Sequence, residues 1–306
     1  MRLGIVISLF GGPAQGPRPT LRWETIRDRA VAAEAAGADI VVLDDAFLYR
    51  DADESVSYWE ATTMAAAVAV ATTRIGIGHS VLNGPYRQPT LVAVAAETLD
   101  EISGGRYTLG IGRGNVPDLD YAAVGVSGEH RTQRFEEALR IIHGLLKEGR
   151  VDFAGEHWSA RGAELVMRGP RPTGPPIVVG ARGPRMLRLT ARYADGWNWW
   201  TGDLRQLDDL RGAVQDLERA CEAESRDPAT LDRSIDVYSL DPLNLAPERE
   251  DLVRGDAREI AGRLLSLGEL GIAEVRCHLY APPTAGGPSL EAISAMGEVA
   301  ALLHAA

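Results

Sequence analysis

The stretch RIGIGHSVLNGPYRQPTLVAVAAETLDEISGGRYTLGIG, residues 74–112, contains one strand–helix–strand unit, and this unit decides the fold. RIGIGHSVL predicts a buried strand with its exit, PTLVAVAAETLDEIS a helix, and YTLGIG the next strand. Gly104 and Gly105 are expected to end the helix. Short, nearly continuous apolar strands joined by a helix are typical of a parallel sheet that is covered on its outer face.

The same alternation continues in both directions along the chain. We predict eight strands, each followed by a helix: LGIVISL (3–9), IVVL (40–43), RIGIGHSVL (74–82), YTLGIG (107–112), PIVVG (176–180), DGWNWW (195–200), SIDVYSL (234–240) and EVRCHLY (274–280). Thr20 is expected to cap the first helix. The rhythm pauses over residues 151–176, which we interpret as an insertion between the fourth helix and the fifth strand. Residues 1–306 are therefore interpreted as a single α/β domain, a (β/α)8 TIM barrel, with a doubly wound open sheet as the alternative.

Composition excludes several classes of partner. The chain is 45% hydrophobic and 25% charged, which is ordinary for a globular protein, and its formal net charge is −11. An acidic balance argues against nucleic acid and anionic membrane surfaces. Cys221 and Cys277 are far apart and lack metal-type spacing, so we expect no metal site and a reducing compartment. No apolar run is long enough to span a bilayer, and we expect a cytoplasmic protein.

The active site of such a barrel is expected at the C-terminal ends of the strands. GIGRGN, residues 110–115, stands at one of them, but G-x-G-x-G on a fourth strand, followed by NVPDLD rather than a helix, does not match the dinucleotide fingerprint. Glycines there let a ring or phosphate approach the backbone, and Arg113 could pair with a phosphate. A pair of barrel-lining glycines beside a solvated arginine is an equally good interpretation.

Two later strand ends carry further candidates. VVGARGPRMLRL, residues 178–189, places a glycine-rich loop between a strand and a helix N-terminus, which favours anion binding, and Arg182 and Arg185 add positive charge. The simpler interpretation is an ordinary loop with proline in the first helical turn. DGWNWW offers a wide apolar surface at the barrel mouth, although strand alternation prevents its three tryptophans from all facing inward.

Other polar residues are less suggestive. The lone His79 is interpreted as structural, and HRTQRFEE, residues 130–137, as a solvated helix face. Asp44 and Asp45 are neighbours and are expected to face opposite sides of their strand, unlike a glycosidase acid/base pair. The sequence therefore offers several candidate cofactor-binding surfaces but few candidate acid–base residues. This balance is typical of a protein whose cofactor carries out the reaction.

LDEISGGRYTLGIGRGN (99–115), HRTQRFEEALRIIHGLL (130–146), PPIVVGARGPRML (175–187) and ARYADGWN (191–198) resemble the luciferase-like flavin-dependent oxidoreductases. This superfamily includes bacterial luciferase, flavin monooxygenases and enzymes that use the deazaflavin F420, and the likeness runs from the first strand to about Trp200. It implies a TIM barrel and a non-prolyl cis peptide at Ser80–Val81 against the flavin ring. It also implies cofactor-binding residues. To these we add Trp197 from the tryptophan-rich mouth, and the predicted set is Ser80, Val81, Arg113, Gly180, Ala181, Arg182, Gly183 and Trp197.

The chain also departs from its relatives. Ala46 stands where the F420-dependent sugar-phosphate dehydrogenases carry a histidine, and Asn115 replaces their acidic residue. Asp45 stands where luciferase uses a histidine. These departures argue against sugar-phosphate dehydrogenation and against the luminescent oxidation of long-chain aldehydes, and they leave the substrate open. Asp45, Asn115 and Tyr238 are predicted to be the polar catalytic residues that face the substrate.

The resemblance leaves the cofactor as F420 or FMN. Ser80–Val81 and a barrel without the long luciferase insertion favour F420 and hydride transfer to or from a small organic substrate. Arg113 favours FMN, which implies a monooxygenase that receives reduced flavin from a partner reductase. Two further hypotheses remain: a non-catalytic flavin-binding barrel, and a cofactor-free hydrolase or isomerase. The family likeness also implies a homodimer.

Overall fold

The structure of the chain, a computed structural model, describes residues 1–11, 20–51, 54–114, 118–201, 204, 207–247, 252–282 and 285–306. Its barrel strands are β1 (Arg2–Ile7), β2 (Ile40–Leu43), β3 (Gly76–His79), β4 (Tyr107–Gly112), β5 (Ile177–Gly180), β6 (Gly196–Thr201), β7 (Asp232–Asp241) and β8 (Glu274–Leu279). Each pairs in parallel with the next along the chain, and β8 pairs with β1. The predicted closed barrel is confirmed.

A helix follows each strand and packs on the outside of the barrel. These helices are α1 (Trp23–Ala35), α2 (Ala61–Ala71), α3 (Pro89–Ser103), α4 (Arg131–His143), α5 (Pro184–Tyr193), α6 (Leu207–Ala223), α7 (Ala257–Leu265) and α8 (Leu290–Ala305). Gly104 ends α3 in a left-handed conformation with φ 65°, as its sequence predicts. The prediction of Thr20 as a cap is wrong, because α1 begins after Arg22 without a side-chain cap. None of the described helices is long and apolar enough to cross a membrane.

Smaller elements decorate the barrel. The predicted insertion is confirmed as an antiparallel hairpin of Arg150–Ala154 and Ser159–Glu164. Among the elements that were not predicted, two follow the ends of barrel strands. One is a three-stranded antiparallel sheet of Phe10–Gly11, Leu48–Asp51 and Glu54–Tyr58, formed by the connections that leave β1 and β2. The other is the short helix Asp118–Ala123 after β4.

Side chains alternate between the helix layer and the barrel lumen. Outward-facing residues such as Leu3, Ile5 and Val275 are fully buried against the helices and form the main core. Burying one such side chain contributes about 1.5–3 kcal/mol. The residues between them face the lumen, where Val6, Ile40 and Val42 form a separate apolar cluster and most of the remaining positions are glycine or polar. Position along the strand therefore decides which side chains reach the site.

Candidate active site

The lumen side of β8 carries a buried ion pair. Arg276 Nε donates to Glu274 Oε1 at 2.7 Å, and the two side chains are 2% and 7% exposed. Arg2, at the start of β1, reaches the other carboxylate oxygen of Glu274 at 3.2 Å. Charges taken out of water need such partners, and this cluster fills the N-terminal end of the lumen.

Above this cluster, Ser80 and Asp236 meet across the lumen. Ser80, which follows β3, donates its hydroxyl to Asp236 Oδ2 on β7 at 2.6 Å. Asn198 on β6 donates from Nδ2 to Ser80 Oγ at 3.3 Å and accepts from Ser234 Oγ at 2.7 Å. Asp236 is 3% exposed, and burial raises its pKa to about 6 despite the opposing influence of Arg276.

Residues 79–81, which we call the crossing segment, leave the wall of the barrel to make this contact. Their Ser80–Val81 peptide bond is cis, as the family resemblance implies. A Cβ on Gly110 of β4 would overlap the carbonyl oxygen of His79. Glycine at this position is therefore required by the protein's own backbone rather than by a cofactor.

Two more glycines face the same segment. A Cβ on Gly112 would lie 2.8 Å from Val81 Cγ2, and one on Gly180 would lie 3.1 Å from the same methyl group. The glycines of GIGRG thus leave room for the side chain of Val81 and for the carbonyl oxygen of His79. Ser80 and Val81 themselves are partly exposed and follow the C-terminal end of β3.

Asp44, rather than Asp45, faces the lumen. It lies directly after β2, and its Oδ1 accepts the backbone N–H of Leu9 at 2.6 Å. Burial raises its pKa to about 7, helped by the nearby charge of Asp45 and opposed by the hydrogen bonds from Leu9 and Ser8. The residue remains partly accessible. A carboxyl group that titrates near neutrality at the barrel mouth can both take up and release a proton.

Asp45 has a different position from the one that its predicted catalytic role requires. Its side chain is 3% exposed and accepts from Arg87 at 2.6 and 2.9 Å and from the backbone N–H of Asn83 at 2.8 Å. Arg87 also pairs with Glu60 at 3.0 Å. These two carboxylates raise the pKa of Arg87 despite its burial. Asp45 is thus a structural anchor for the connection after the crossing segment.

Trp197 departs from the prediction of a cofactor contact. Its side chain faces the helices on the outer side of β6 and is fully buried, and its Nε1 donates to the carbonyl oxygen of Ala181 at 3.1 Å. Ala181 is itself buried in the same core. Gly183 precedes α5 with φ 81°, a conformation that suits glycine.

The arginines of the loop after β5 already have partners. Arg182 donates to the carbonyl oxygen of Trp200 at 2.6 Å and stacks over the rings of Trp199 and Trp200, with 4.2 and 5.1 Å between its Cζ and the two ring centroids. Arg185 pairs with Glu136 at 2.6 Å. Neither guanidinium is kept free for a phosphate.

Three further arginines at the mouth are half-buried. Arg113, which follows β4, and Arg131 and Arg134, in the first turn of α4, make no ion pair within the described ranges, and the Cζ atom of Arg134 lies 5.3 Å from the ring centroid of Trp158. Arg131 lies 5.7 Å from the ring centroid of Tyr121, whose hydroxyl donates to the carbonyl oxygen of Arg113 at 3.4 Å. The Nε atom of Arg134 is buried without a hydrogen-bond partner in the described structure. The charges of HRTQRFEE predict a solvated helix face, because a charge pattern does not show which arginines lack partners.

The remaining predicted residues are placed as follows. Asn115 lies outside the described residues, and of Tyr238 only the backbone, in β7, is described. His79 is structural, as predicted: its ring nitrogens lie 2.9 Å from the Tyr107 hydroxyl and 3.2 Å from the carbonyl oxygen of Ala61, and burial lowers its pKa to about 4.

Metal and disulfide chemistry find no support in the described residues. They contain no group of three His, Cys, Asp or Glu side chains that could hold a metal ion. Cys221 and Cys277 are buried and unpaired. A cavity of about 460 Å³ lies outside the barrel, between the hairpin, α4 and Tyr193, and contains none of the mouth residues described above.

Comparison with known proteins agrees with this architecture. A family model described as luciferase-like monooxygenase matches residues 1–262. An F420-dependent glucose-6-phosphate dehydrogenase of Kineococcus radiotolerans is 34% identical over 217 residues, which cover 69% of this chain and 62% of that protein. The solved structure of an F420-dependent secondary alcohol dehydrogenase in complex with an F420–acetone adduct superposes with a TM-score of 0.79 at 19% identity and covers 99% of this chain and 98% of the other. Monooxygenase RslO1 of Streptomyces bottropensis gives 0.78 at 19% identity, with both chains fully covered. The chain belongs to the luciferase-like monooxygenase family of enzymes.

Proposed function

We propose that the chain is an F420-dependent oxidoreductase that transfers hydride to or from a small organic substrate. The observation that carries the proposal is the pairing, at one barrel mouth, of the partly exposed residues Ser80 and Val81 with a carboxyl group, Asp44, whose pKa burial raises to about 7. Hydride transfer to or from a carbonyl, imine or double bond needs one proton to move with it, and Asp44 is suited to that task. The F420-dependent relative and fold neighbour support this choice of cofactor.

The described residues fit a flavin or deazaflavin. Ser80 and Val81 would contact the ring, and the cofactor phosphate would lie near Arg113, Arg131 and Arg134, whose charges have no carboxylate partner within the described structure. Backbone N–H groups near Gly183, before α5, provide a second anion-binding surface. When bound, the cofactor supplies the hydride donor or acceptor, and the protein binds, orients and shields it from water.

The substrate is expected above the crossing segment. Asn115 and Tyr238 remain proposed polar contacts to it, whereas Asp45 is proposed to hold the connection around Asn83 and Arg87. Ala46 and Asn115, in place of the histidine and acid of the sugar-phosphate dehydrogenases, argue against a sugar phosphate. We therefore favour alcohols, carbonyl compounds, imines and activated alkenes.

An FMN-dependent monooxygenase is the second candidate. Arg113, Arg131 and Arg134, which make no ion pair within the described residues, favour a compact terminal phosphate, and the fold neighbour RslO1 is a monooxygenase. This function would require a partner reductase to supply reduced flavin. A flavin-binding barrel without catalysis, a homodimer and a cytoplasmic location stay predictions of the sequence analysis.

Parallel titration with F420 and FMN, followed by fluorescence, tests the proposal. We expect F420 to bind more tightly than FMN, and expect the paired substitution Arg131→Ala/Arg134→Ala to weaken binding of either by about 10-fold or more. Arg188→Ala, on an exposed face of α5, is the matched control and should leave affinity unchanged. Tighter FMN binding would favour the monooxygenase, and binding of neither cofactor would reject the proposal.

The role of Asp44 predicts a pH profile. With the first substrate that turns over, Asp44→Asn should lower the rate by about 100-fold or more, because an amide cannot exchange a proton. The wild-type profile should contain a transition near pH 7, the value to which burial raises the pKa of Asp44, and the variant should lose it. A variant that keeps both rate and transition would remove Asp44 from the chemistry. Unchanged cofactor affinity in the variant is the control for folding.

A further inference from the structure

The contact between Ser80 and Asp236 links the exposed surface of the crossing segment to a buried acid. The hydroxyl group belongs to a residue that is partly accessible from the mouth, and the carboxyl group lies behind it, 3% exposed. Asp236 Oδ1 has no hydrogen-bond partner in the described structure. The Ser80 hydroxyl is thus the polar contact between Asp236 and the surface that faces the mouth.

The protons of this pair can be counted. Ser80 has one proton, and its oxygen accepts from Asn198 Nδ2 at 3.3 Å, with Arg276 Nη1 at 3.5 Å. An ionised Asp236 can only accept, so it keeps the serine proton directed into the barrel. A protonated Asp236 can instead donate to Ser80 Oγ. The serine proton is then free to turn towards the mouth.

Among the described residues, the charges that act on Asp236 come from β8. Arg276 on β8 favours the ionised form, and Glu274 on the same strand opposes it; each is itself held in the ion pair described above. The groups that face Asp236 from β6 and from the crossing segment, Asn198 and Ser80, are uncharged. Burial outweighs these influences and raises the pKa of Asp236 to about 6, so both forms are accessible under ordinary conditions.

We propose that Asp236 is a positioning residue that decides whether Ser80 offers a hydrogen-bond donor to the ring bound at the mouth. The ring carbonyl oxygens and nitrogens of a flavin or deazaflavin are suitable acceptors. With Asp236 protonated, the serine donates to the ring; with Asp236 ionised, it donates to the carboxylate and the ring loses that bond. This inference rests on the proposed function for the identity of the ring, but not for the behaviour of the pair itself.

Cofactor titrations over a range from about pH 5 to about pH 8 test the proposal in the loaded protein. Affinity for F420 or FMN should fall by about 5-fold as Asp236 ionises, the value of one hydrogen bond. Asp236→Asn retains an N–H donor to Ser80 at every pH and should remove the fall. The ionisations of the cofactor itself are common to both proteins and cancel in the ratio of their affinities.

Two further variants separate the pair from its surroundings. Ser80→Ala should bind weakly at every pH, and adding Asp236→Asn to it should change nothing more. Asp44→Asn, which alters the other lumen carboxyl with a raised pKa, should keep the fall near pH 6. If Asp236→Asn retains the wild-type pH dependence, or if Ser80→Ala retains it, the proposal is overturned.

A measurement without cofactor keeps the two proposals distinct. The Asp236 carboxyl signal, identified by NMR of aspartate-labelled protein through its absence from Asp236→Asn, should titrate near pH 6. Ser80→Ala should move this midpoint upwards, because the hydroxyl stabilises the ionised form. An ordinary midpoint near pH 4, or one that ignores Ser80, would contradict the inference. Failure of both cofactors to bind, with this titration as expected, would reject only the proposed function.

Discussion

The two sides of the barrel lumen are built differently. β4 and β5 face it with glycines, at Gly110, Gly112 and Gly180, whereas β7 and β8 face it with charged side chains, at Asp236, Glu274 and Arg276. The glycine side makes room for the crossing segment, and the charged side supplies its hydrogen-bond partner. One side thus decides where Ser80 and Val81 lie, while the other decides their electrical surroundings, and the two should respond differently to substitution.

The largest effect is expected on the glycine side. Gly110→Ala should destabilise the protein by more than about 4 kcal/mol, since the added Cβ overlaps a backbone oxygen that cannot move without displacing β3. Urea unfolding followed by tryptophan fluorescence measures this loss. Gly212→Ala, on an open face of α6, is the control and should stabilise by about 1 kcal/mol. A stable Gly110→Ala protein would contradict the conclusion that the glycine side of the lumen has no room for a side chain at this position.

A somewhat smaller effect is expected from the charged side. Arg276→Met keeps most of the volume but leaves Glu274 and Asp236 without their buried cation, which should cost about 3–5 kcal/mol. Adding Glu274→Gln should recover part of that loss, because one buried charge is removed. Arg258→Met, exposed on α7, serves as the control in the same unfolding assay. Equal stability of the first variant and the wild type would show that packing, not charge, matters on this side.

The smallest effect tests the edge of the polar network. Ser234→Ala removes the hydrogen bond to Asn198 Oδ1 and should cost about 1 kcal/mol. The carboxyl titration of Asp236, followed by NMR, should change little, since Ser234 does not contact Asp236 directly. A large shift of the Asp236 pKa would show that the hydrogen bond between Ser234 and Asn198 also affects the ionisation of Asp236.

Much of the fold was predictable because its signals are local. Eight apolar strands, each with a helix and a glycine or proline at its borders, specify a barrel without any long-range information. The three-stranded sheet that includes Glu54–Tyr58 was missed because its strands are short and polar, and their partners are distant in sequence. The cap of α1 was misplaced because a plausible capping residue does not establish where the helix begins.

The site was less predictable because two of its properties are not local. Because side chains alternate along a strand, the register of each strand decides whether Asp44 or Asp45, and whether Trp197 or Asn198, faces the lumen. An error of one residue in that register exchanges the two members of each pair. The glycines of GIGRG indicated a close approach, but not that the approaching group belongs to residues 79–81. The family resemblance predicted the cis peptide at Ser80–Val81, which the structure contains and which no local pattern in the sequence indicates.

The crossing segment also has a kinetic consequence. Within the described residues, Ser80 and Asp236 meet in the middle of the lumen, and Arg276 and Glu274 fill its other end, so a ligand that reaches Ser80 would come from the C-terminal mouth. If the cofactor binds on Ser80 and Val81, as we propose, it would have to arrive before the substrate above it and could leave only after that substrate. The proposed function therefore predicts a compulsory order of binding and release, in which the cofactor would enter first and leave last.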